Sequence, residues 1–291
     1  MMFSFELLYE AVIFGLLLGC FYAAVSLGLS VAFGLLDVPH VAHPALLIVG
    51  SYGAYLMGTW GFDPLLSGLL LMPVFFAFGM LLYRFYYETF ESRGSAAGVN
   101  GLAFFFGIAF IVEVLLVVAF GVDQRAAEAE YIGASLRLGE LRIPYRLLVA
   151  AGVALLLTVV LTNFFSRTFV GRAIKAVGQD EGALRLMGAD PVKIKQLAFG
   201  IATSVNALAG AMLIIVSPVE PTMDRIYIGR TFCVVVLAGL GSMSGTLVAG
   251  LLLGIVESIV LTLFGASWAP AVAFGLLLVL LGLRPQGLFG R

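Results

Sequence analysis

Apolar residues in this chain come in long runs broken at intervals by charge, Pro or Gly. Nine runs can be marked: 11–36, 44–58, 64–83, 99–121, 145–165, 196–216, 228–241, 246–264 and 270–283. A helical bilayer crossing takes roughly 20 apolar residues, so the pattern predicts an all-α polytopic membrane protein with about 8–10 transmembrane helices. One transmembrane domain, 1–291, takes up the chain and leaves no stretch for a soluble catalytic domain. Two runs are short or interrupted: Pro44 leads 44–58, and 228–241 ends in GLGSMSG. Such segments mark either discontinuous helices lining a cavity, where freed backbone groups meet protein or water, or ordinary helix ends in tight turns.

The pattern changes between Arg167 and Lys195. Arg167, Arg172, Lys175, Arg185, Lys193 and Lys195 lie there, accompanied by Asp180, Glu181 and Asp190. Cytoplasmic loops carry the Lys/Arg excess, so the loop at about 166–195 is expected inside, with Arg284 and Arg291 placing the C-terminus there too. Nine spans then leave the N-terminus outside; it has Glu6 and Glu10 and no basic residue before Arg84. Without a positive n-region the first run reads as a retained span. The loop at about 122–144 sets Arg125, Arg137 and Arg142 against Asp123, Glu128, Glu130 and Glu140, and is expected on the extracytoplasmic side, with 131–143 as a small hairpin or edge helix.

Within the basic loop, Ile174, Val177, Leu184 and Met187 recur at spacings of three and seven, which predicts one amphipathic helix over 172–187. Gly188 would end it as a left-handed cap, and Asp190-Pro191 would start another as N-cap and first residue. A short amphipathic helix projecting from a membrane domain either lies on lipid headgroups or fits a groove in a partner.

Composition sharpens this picture. The chain is 62% hydrophobic and 11% charged, with mean hydropathy +1.10, against about 45–50% and about 25% in soluble domains. A net charge of -1 gives no footprint for nucleic acid. Cys20 and Cys233 lie in apolar runs, without disulfide or metal-site spacing. There is no G-x-x-x-x-G-K-[ST] loop and no nucleophile–base pair, so any ATP used must be hydrolysed by another chain. Small residues recur every four positions at Gly15, Gly19 and Ala23, at Gly50, Ala54 and Gly58, and at Gly250, Gly254 and Ser258. Such stripes let helix backbones approach closely in lipid. GLLLG occurs at both Gly15–Gly19 and Gly250–Gly254, through an internal repeat or through coincidence in a Leu- and Gly-rich chain.

A few polar groups stand inside the apolar runs or in the short gap between the first two. His40 and His43, near Asp37, fit a structural turn or a pathway or gating role; a metal site would need a third ligand. Glu113 and Glu257 are costly at their depth and serve either structural pairing or helix contact with a second subunit, or else substrate or proton handling. Arg230 either pairs with a carboxylate or snorkels to the interface, and Asn206 is expected to hydrogen-bond between helices. Phe104, Phe105, Phe106 and Phe110 form an aromatic patch, facing lipid or an apolar substrate side chain.

GQDEGALRLMGADPVKIKQLAF resembles the cytoplasmic coupling loop of ABC importer permeases, especially the branched-chain amino acid (LivH-type) family. GLLLGCFYAAVSLGLSVAFGLLDV is similar to that family's first span, PHVAHPALLIVGSYGAYL to its second, VVVLAGLGSMSGTLVAGLLLGIVES to its Gly-rich late segment and LRPQGLFG to its ending. The likeness covers most of the chain and is weakest over 60–165. It implies a non-enzymatic permease subunit of a bacterial inner-membrane importer. The implied partners are a sister permease (a heterodimer), two cytoplasmic ATPases that use ATP and Mg, and an extracytoplasmic solute-binding protein. No cofactor is expected on this chain. The implied cargo is a branched-chain or other hydrophobic amino acid, or a related amide or carboxylate.

ATPase coupling is then expected at Ile174, Val177, Asp180, Glu181, Ala183, Leu184, Arg185, Met187, Gly188, Asp190 and Pro191. The translocation pathway is expected among His40, His43, Phe106, Glu113, Asn206 and Glu257. The sequence departs from the family in two places. Gly182, Ala183 and Leu184 stand where an EAA-like triplet is usual, with the acidic residue one place early at Glu181. His40-Val41-Ala42-His43-Pro44 stands where N-F-A-H-G is usual. An ion-gradient-driven secondary transporter using Glu113 and Glu257 is the competing reading, and a polytopic membrane enzyme a distant third.

Overall fold

Every apolar run becomes an α-helix in the computed structural model, which describes residues 5–93, 97–138, 141–284 and 286–289. Glu140, Pro285, Gly290 and Arg291 lie outside the described residues. The helices are α1 (Phe5–Gly34), α2 (His43–Thr59), α3 (Pro64–Thr89), α4 (Ala97–Phe120), α5 (Tyr145–Arg167), α6 (Phe169–Val177), α7 (Glu181–Leu186), α8 (Pro191–Val216), α9 (Asp224–Ala238), α10 (Met243–Phe264) and α11 (Ala269–Leu283). Among the described residues six are long and apolar enough to cross a membrane: α1, α3, α4, α5, α8 and α10. The helices α2, α9 and α11 are shorter. The loop after α4 holds a hairpin, β1 (Ser135–Leu138) against β2 (Leu141–Pro144), rather than an edge helix.

Where helix ends differ from the apolar runs, polar chemistry accounts for it. Helix α3 continues past its run to Thr89, and its exposed Arg84 pairs with Glu88 one turn on at 2.8 Å. Helix α8 starts at Pro191, ahead of its apolar run, because the Asp190 carboxylate accepts from the Val192 N–H at 3.1 Å and Pro fits the first turn.

The core forms around α8 and α1. In α8 83% of the most apolar window is buried, against 11% in α4, which rides on the outside. Close approach is made by the small-residue stripes. Helix α1 packs antiparallel on α10: a Cβ on Gly15 would lie 2.6 Å from Ile255 Cα, and one on Gly254 would lie 2.3 Å from the Gly15 oxygen. The two GLLLG segments are thus the two halves of a single interface. Helix α3 lies antiparallel on α8, with Gly79 over Thr203 and Gly68 over Leu208 and Ala211, while α2 runs alongside α8 with Ser51 and Leu47 against Gly210.

These contacts sort the connections to two ends. At one, Gly34 meets Gly241, Gly178 meets Leu35, and the N–H groups of Leu288 and Phe289 donate to the carbonyls of Leu237 and Ala238. The α6–α7 segment and the C-terminal segment therefore share that end. At the other, Arg125 and Val219 bridge across the loops that follow α4 and α8. Helix α1 starts at the end where α10 finishes, opposite the C-terminal segment.

Candidate coupling loop and transport core

The basic loop folds as two short helices, not the single helix 172–187 that the apolar spacing predicts. Helix α6 starts at Thr168, whose Oγ1 accepts from the Gly171 N–H at 3.0 Å. It stops at Gly178, where a Cβ would lie 2.3 Å from the Leu35 oxygen, so only glycine fits against the end of α1. Asp180 is then extended, and its carboxylate caps α7 by accepting from the Ala183 N–H at 3.0 Å. Serving as a cap requires a non-helical backbone at Asp180, which breaks the predicted helix there.

The break changes which face each residue presents. Ile174, Val177 and Leu184 are buried against the chain itself, whereas Met187 is 77% exposed and Leu186 91% exposed. The expected four-residue apolar face is therefore corrected: three members anchor the loop, and Met187 joins Leu186 at its tip. Gly188 has φ +78°. Its N–H donates to the Arg185 carbonyl at 3.0 Å, and the Ala189 N–H donates to that of Leu184 at 3.1 Å. This is the paired Schellman bonding that stops a helix. Ala183 and Arg185 are exposed. Asp190 and Pro191 start α8 as described above.

Glu181 turns inward. Its carboxylate pairs with Lys195 in the first turns of α8, and Lys195 Nζ also donates to Glu91 Oε1 at 2.7 Å. Glu91 in turn accepts from the Tyr83 hydroxyl at 3.0 Å. Gln196 adds a second tie between α8 and α3, donating to the Met80 carbonyl at 3.1 Å.

In the core, α2 begins inside the bundle, with His43 and Pro44 buried. Asn206 Nδ2 donates to His43 Nδ1 at 3.1 Å, so the ring proton sits on Nε2, which donates to the Val25 carbonyl at 2.8 Å. His43 thereby ties α2 to α1 and α8. His40 is fully buried, ringed by Phe105, Phe199 and His43. Glu113 accepts from Arg225 at 2.6 Å, at the start of α9. Glu257 is fully buried and paired with Arg230, whose guanidinium lies over the rings of Tyr22 and Tyr227 at 5.2 and 5.3 Å. Arg230 is thus a mostly buried partner of Glu257 and does not snorkel.

A cavity of about 490 Å³ opens between the starts of α2 and α9 and the outward side of α4. Its lining includes Pro44, Phe106, Glu113, Asp224 and Arg225. The four phenylalanines of α4 are not one patch, because a helix turns about 100° per residue. Phe105 is buried on His40, Phe104 stacks toward Phe85 and Tyr86, and Phe106 and Phe110 point outward.

The sequence matches the family described as "Branched-chain amino acid transport system / permease component" over residues 11–281. The chain belongs to that family. It is 27% identical over 290 residues to the branched-chain amino acid permease BraD of Pseudomonas aeruginosa, covering 95% of this chain and 94% of BraD. Against LivH of Escherichia coli K12 it is 25% identical over 298 residues, with the same coverage. A further match, 33% over 143 residues, is to LivM of Salmonella typhimurium, covering 47% of this chain and 33% of LivM. A solved structure titled PsaBC from Streptococcus pneumoniae in complex with Fab is similar with TM-score 0.47 at 14% identity, covering 98% of this chain and 95% of that one.

In this permease the pathway candidates fall into three separate groups. His40, His43 and Asn206 form one cluster, Glu113 and Phe106 line the cavity, and Glu257 is locked with Arg230 on the α1 side of α9. Sequence reading missed Glu91, Lys195, Asp224, Arg225 and the exposed Leu186. Each sits near a helix end, where charge is unremarkable, and only the partner across space gives it meaning. Leu186 had a signal in the LRLMG stretch, where two apolar residues precede a helix-ending glycine.

Proposed function

We propose that this multi-pass membrane protein is one permease of an ATP-binding cassette importer carrying branched-chain or other hydrophobic amino acids, or related amides and carboxylates, across a bacterial inner membrane. The observation that carries the reading is α7. It is a capped, separately folded turn of helix whose tip exposes Leu186 and Met187 at the most basic end of the bundle. Two adjacent large apolar side chains held out from a polar loop are suited to a groove in a soluble partner. That partner is an ATPase subunit, which supplies ATP and Mg chemistry that this chain lacks. Two such subunits serve a permease pair.

The Lys/Arg excess of that end supports a cytoplasmic placement for it and for the C-terminal segment. The hairpin and the start of α1 are then extracytoplasmic, where a solute-binding protein docks. The outward side of α4 and α9 carries Arg225, 67% exposed at its side chain, beside half-exposed Phe106 and Phe110. A charge at that depth is costly against lipid, which supports a sister permease covering this side and closing the cavity into a pathway. The relatedness to both LivH and LivM favours two different chains for the pair. Glu113 and Glu257 each hold an arginine, so neither is the free carboxylate that the proton-driven reading assigned to it.

The test is purification of the tagged chain from its host in mild detergent, followed by uptake in proteoliposomes. Co-purifying ATPases and ATP-dependent uptake of a hydrophobic amino acid are expected. Uptake by this chain alone under an ion gradient, without ATP, would overturn the reading.

A further inference from the structure

We propose that Lys195 is a positioning residue that joins the coupling helix α7 to the two helices that move with it, α8 and α3. The inference rests on the reading of α7 as the ATPase contact and names how movement leaves it. Helix α7 is short and touches the rest of the chain through few groups. Leu184 is buried beneath it, Gly188 ends it, and the Glu181 carboxylate reaches Lys195.

Lys195 has 9% of its side chain exposed and holds two carboxylates at once: Glu181 of α7, and Glu91 in the turn that follows α3. Glu91 is fixed from its other oxygen by Tyr83 of α3. One ammonium group therefore links three elements, and it does so at the base of α8, the most buried helix of the bundle. Asn206, which holds His43 at the start of α2, lies about 16 Å further along α8 at ~1.5 Å per residue. A push on the α7 tip thus passes through Lys195 into a continuous helix that ends its first half at the inner start of α2. Coupling over such distances is carried by packed side chains, salt-bridge networks and rigid helices that have two discrete arrangements.

The ordinary reading of a partly buried ion triad is that it holds the fold. The two roles separate in their readout. A fold contact affects the amount of assembled complex, and transport and ATP hydrolysis then fall together. A joint affects the number of substrate molecules moved per ATP hydrolysed.

The experiment uses the whole complex in proteoliposomes with saturating solute-binding protein. It measures labelled leucine accumulated against phosphate released for Glu181→Ala, Lys195→Arg and the unaltered chain. Glu181→Ala cuts only the tether to α7 and leaves Lys195 paired with Glu91, so the bundle retains its base. Leucine moved per ATP is expected to fall about tenfold, within the about 5–150-fold typical of coupling between sites. Lys195→Arg, which can still bridge two carboxylates, is expected to retain most of the ratio. An unchanged ratio in Glu181→Ala, or a proportional fall of both rates, would overturn the joint while leaving the importer reading intact. Absence of ATPases from the unaltered complex would overturn both.

Discussion

Changing Gly254 to Ala should destabilise this protein, whereas the same change at Gly152 should stabilise it. A Cβ on Gly254 would stand 2.3 Å from the Gly15 oxygen and 2.5 Å from Gly19 Cα. Ordinary carbon–oxygen contact is about 3.3–3.6 Å, so α1 and α10 must part by roughly 1 Å. A gap of that size forfeits about a quarter to a half of each contact's attraction. With roughly twenty atom pairs at ~0.15 kcal/mol each, the loss is about 0.75–1.5 kcal/mol. Strain in the backbone-to-backbone contact brings the cost to the ~1–3 kcal/mol seen for overpacked cores. Ala gains about 0.5–1 kcal/mol over Gly within a helix, leaving Gly254→Ala net destabilising by about 1–2 kcal/mol. Gly152 lies on α5 with nothing within 4 Å of its Cβ position, so it receives the gain alone. Thermal unfolding of the detergent-solubilised chain, followed by loss of monodisperse protein, measures both variants. At roughly 2 °C per kcal/mol for a chain of this size, their shifts should have opposite sign and differ by about 3–6 °C. Equal shifts for the two variants would refute the argument that the α1–α10 seam depends on glycine.

Other expectations follow from the polar contacts and the loop. Arg230→Met leaves Glu257 buried without its cation and should cost about 3–5 kcal/mol; Glu257→Gln leaves Arg230 still stacked on Tyr22 and Tyr227 and should cost less, as the same unfolding assay would reveal. Leu186→Asp combined with Met187→Asp should change chain stability by less than about 0.5 kcal/mol, because both side chains are exposed, yet remove the ATPases from the purified complex. Gly188→Asp forces a side chain onto a backbone with φ +78°, at about 1–2 kcal/mol; uptake should be abolished while the protein still inserts and purifies, and normal uptake would count against the coupling role of the loop.

The sequence by itself determined the membrane class, the placing of the nine apolar helices to within a few residues, and the caps at Gly188 and Asp190. These properties are local: apolar run length, turn chemistry and capping depend on neighbours a few residues away. It also determined family membership, because motif order along the chain is a one-dimensional property. Only the tertiary structure decided that Gly15–Gly19 and Gly250–Gly254 face one another, since a smooth stripe specifies close approach but not the partner. The same holds for charge. Glu113, Glu257 and Glu181 were visible as costly or misplaced carboxylates, but Arg225, Arg230 and Lys195 became their partners only when distant segments met. The α6–α7 break is intermediate: its apolar spacing fits one helix, and what overrides that spacing is the close contact of Gly178 with Leu35 at the end of α1, more than a hundred residues away along the chain. Periodicity is set by the chain's own geometry, whereas pairing is set by which surfaces the folded bundle brings within a few ångströms.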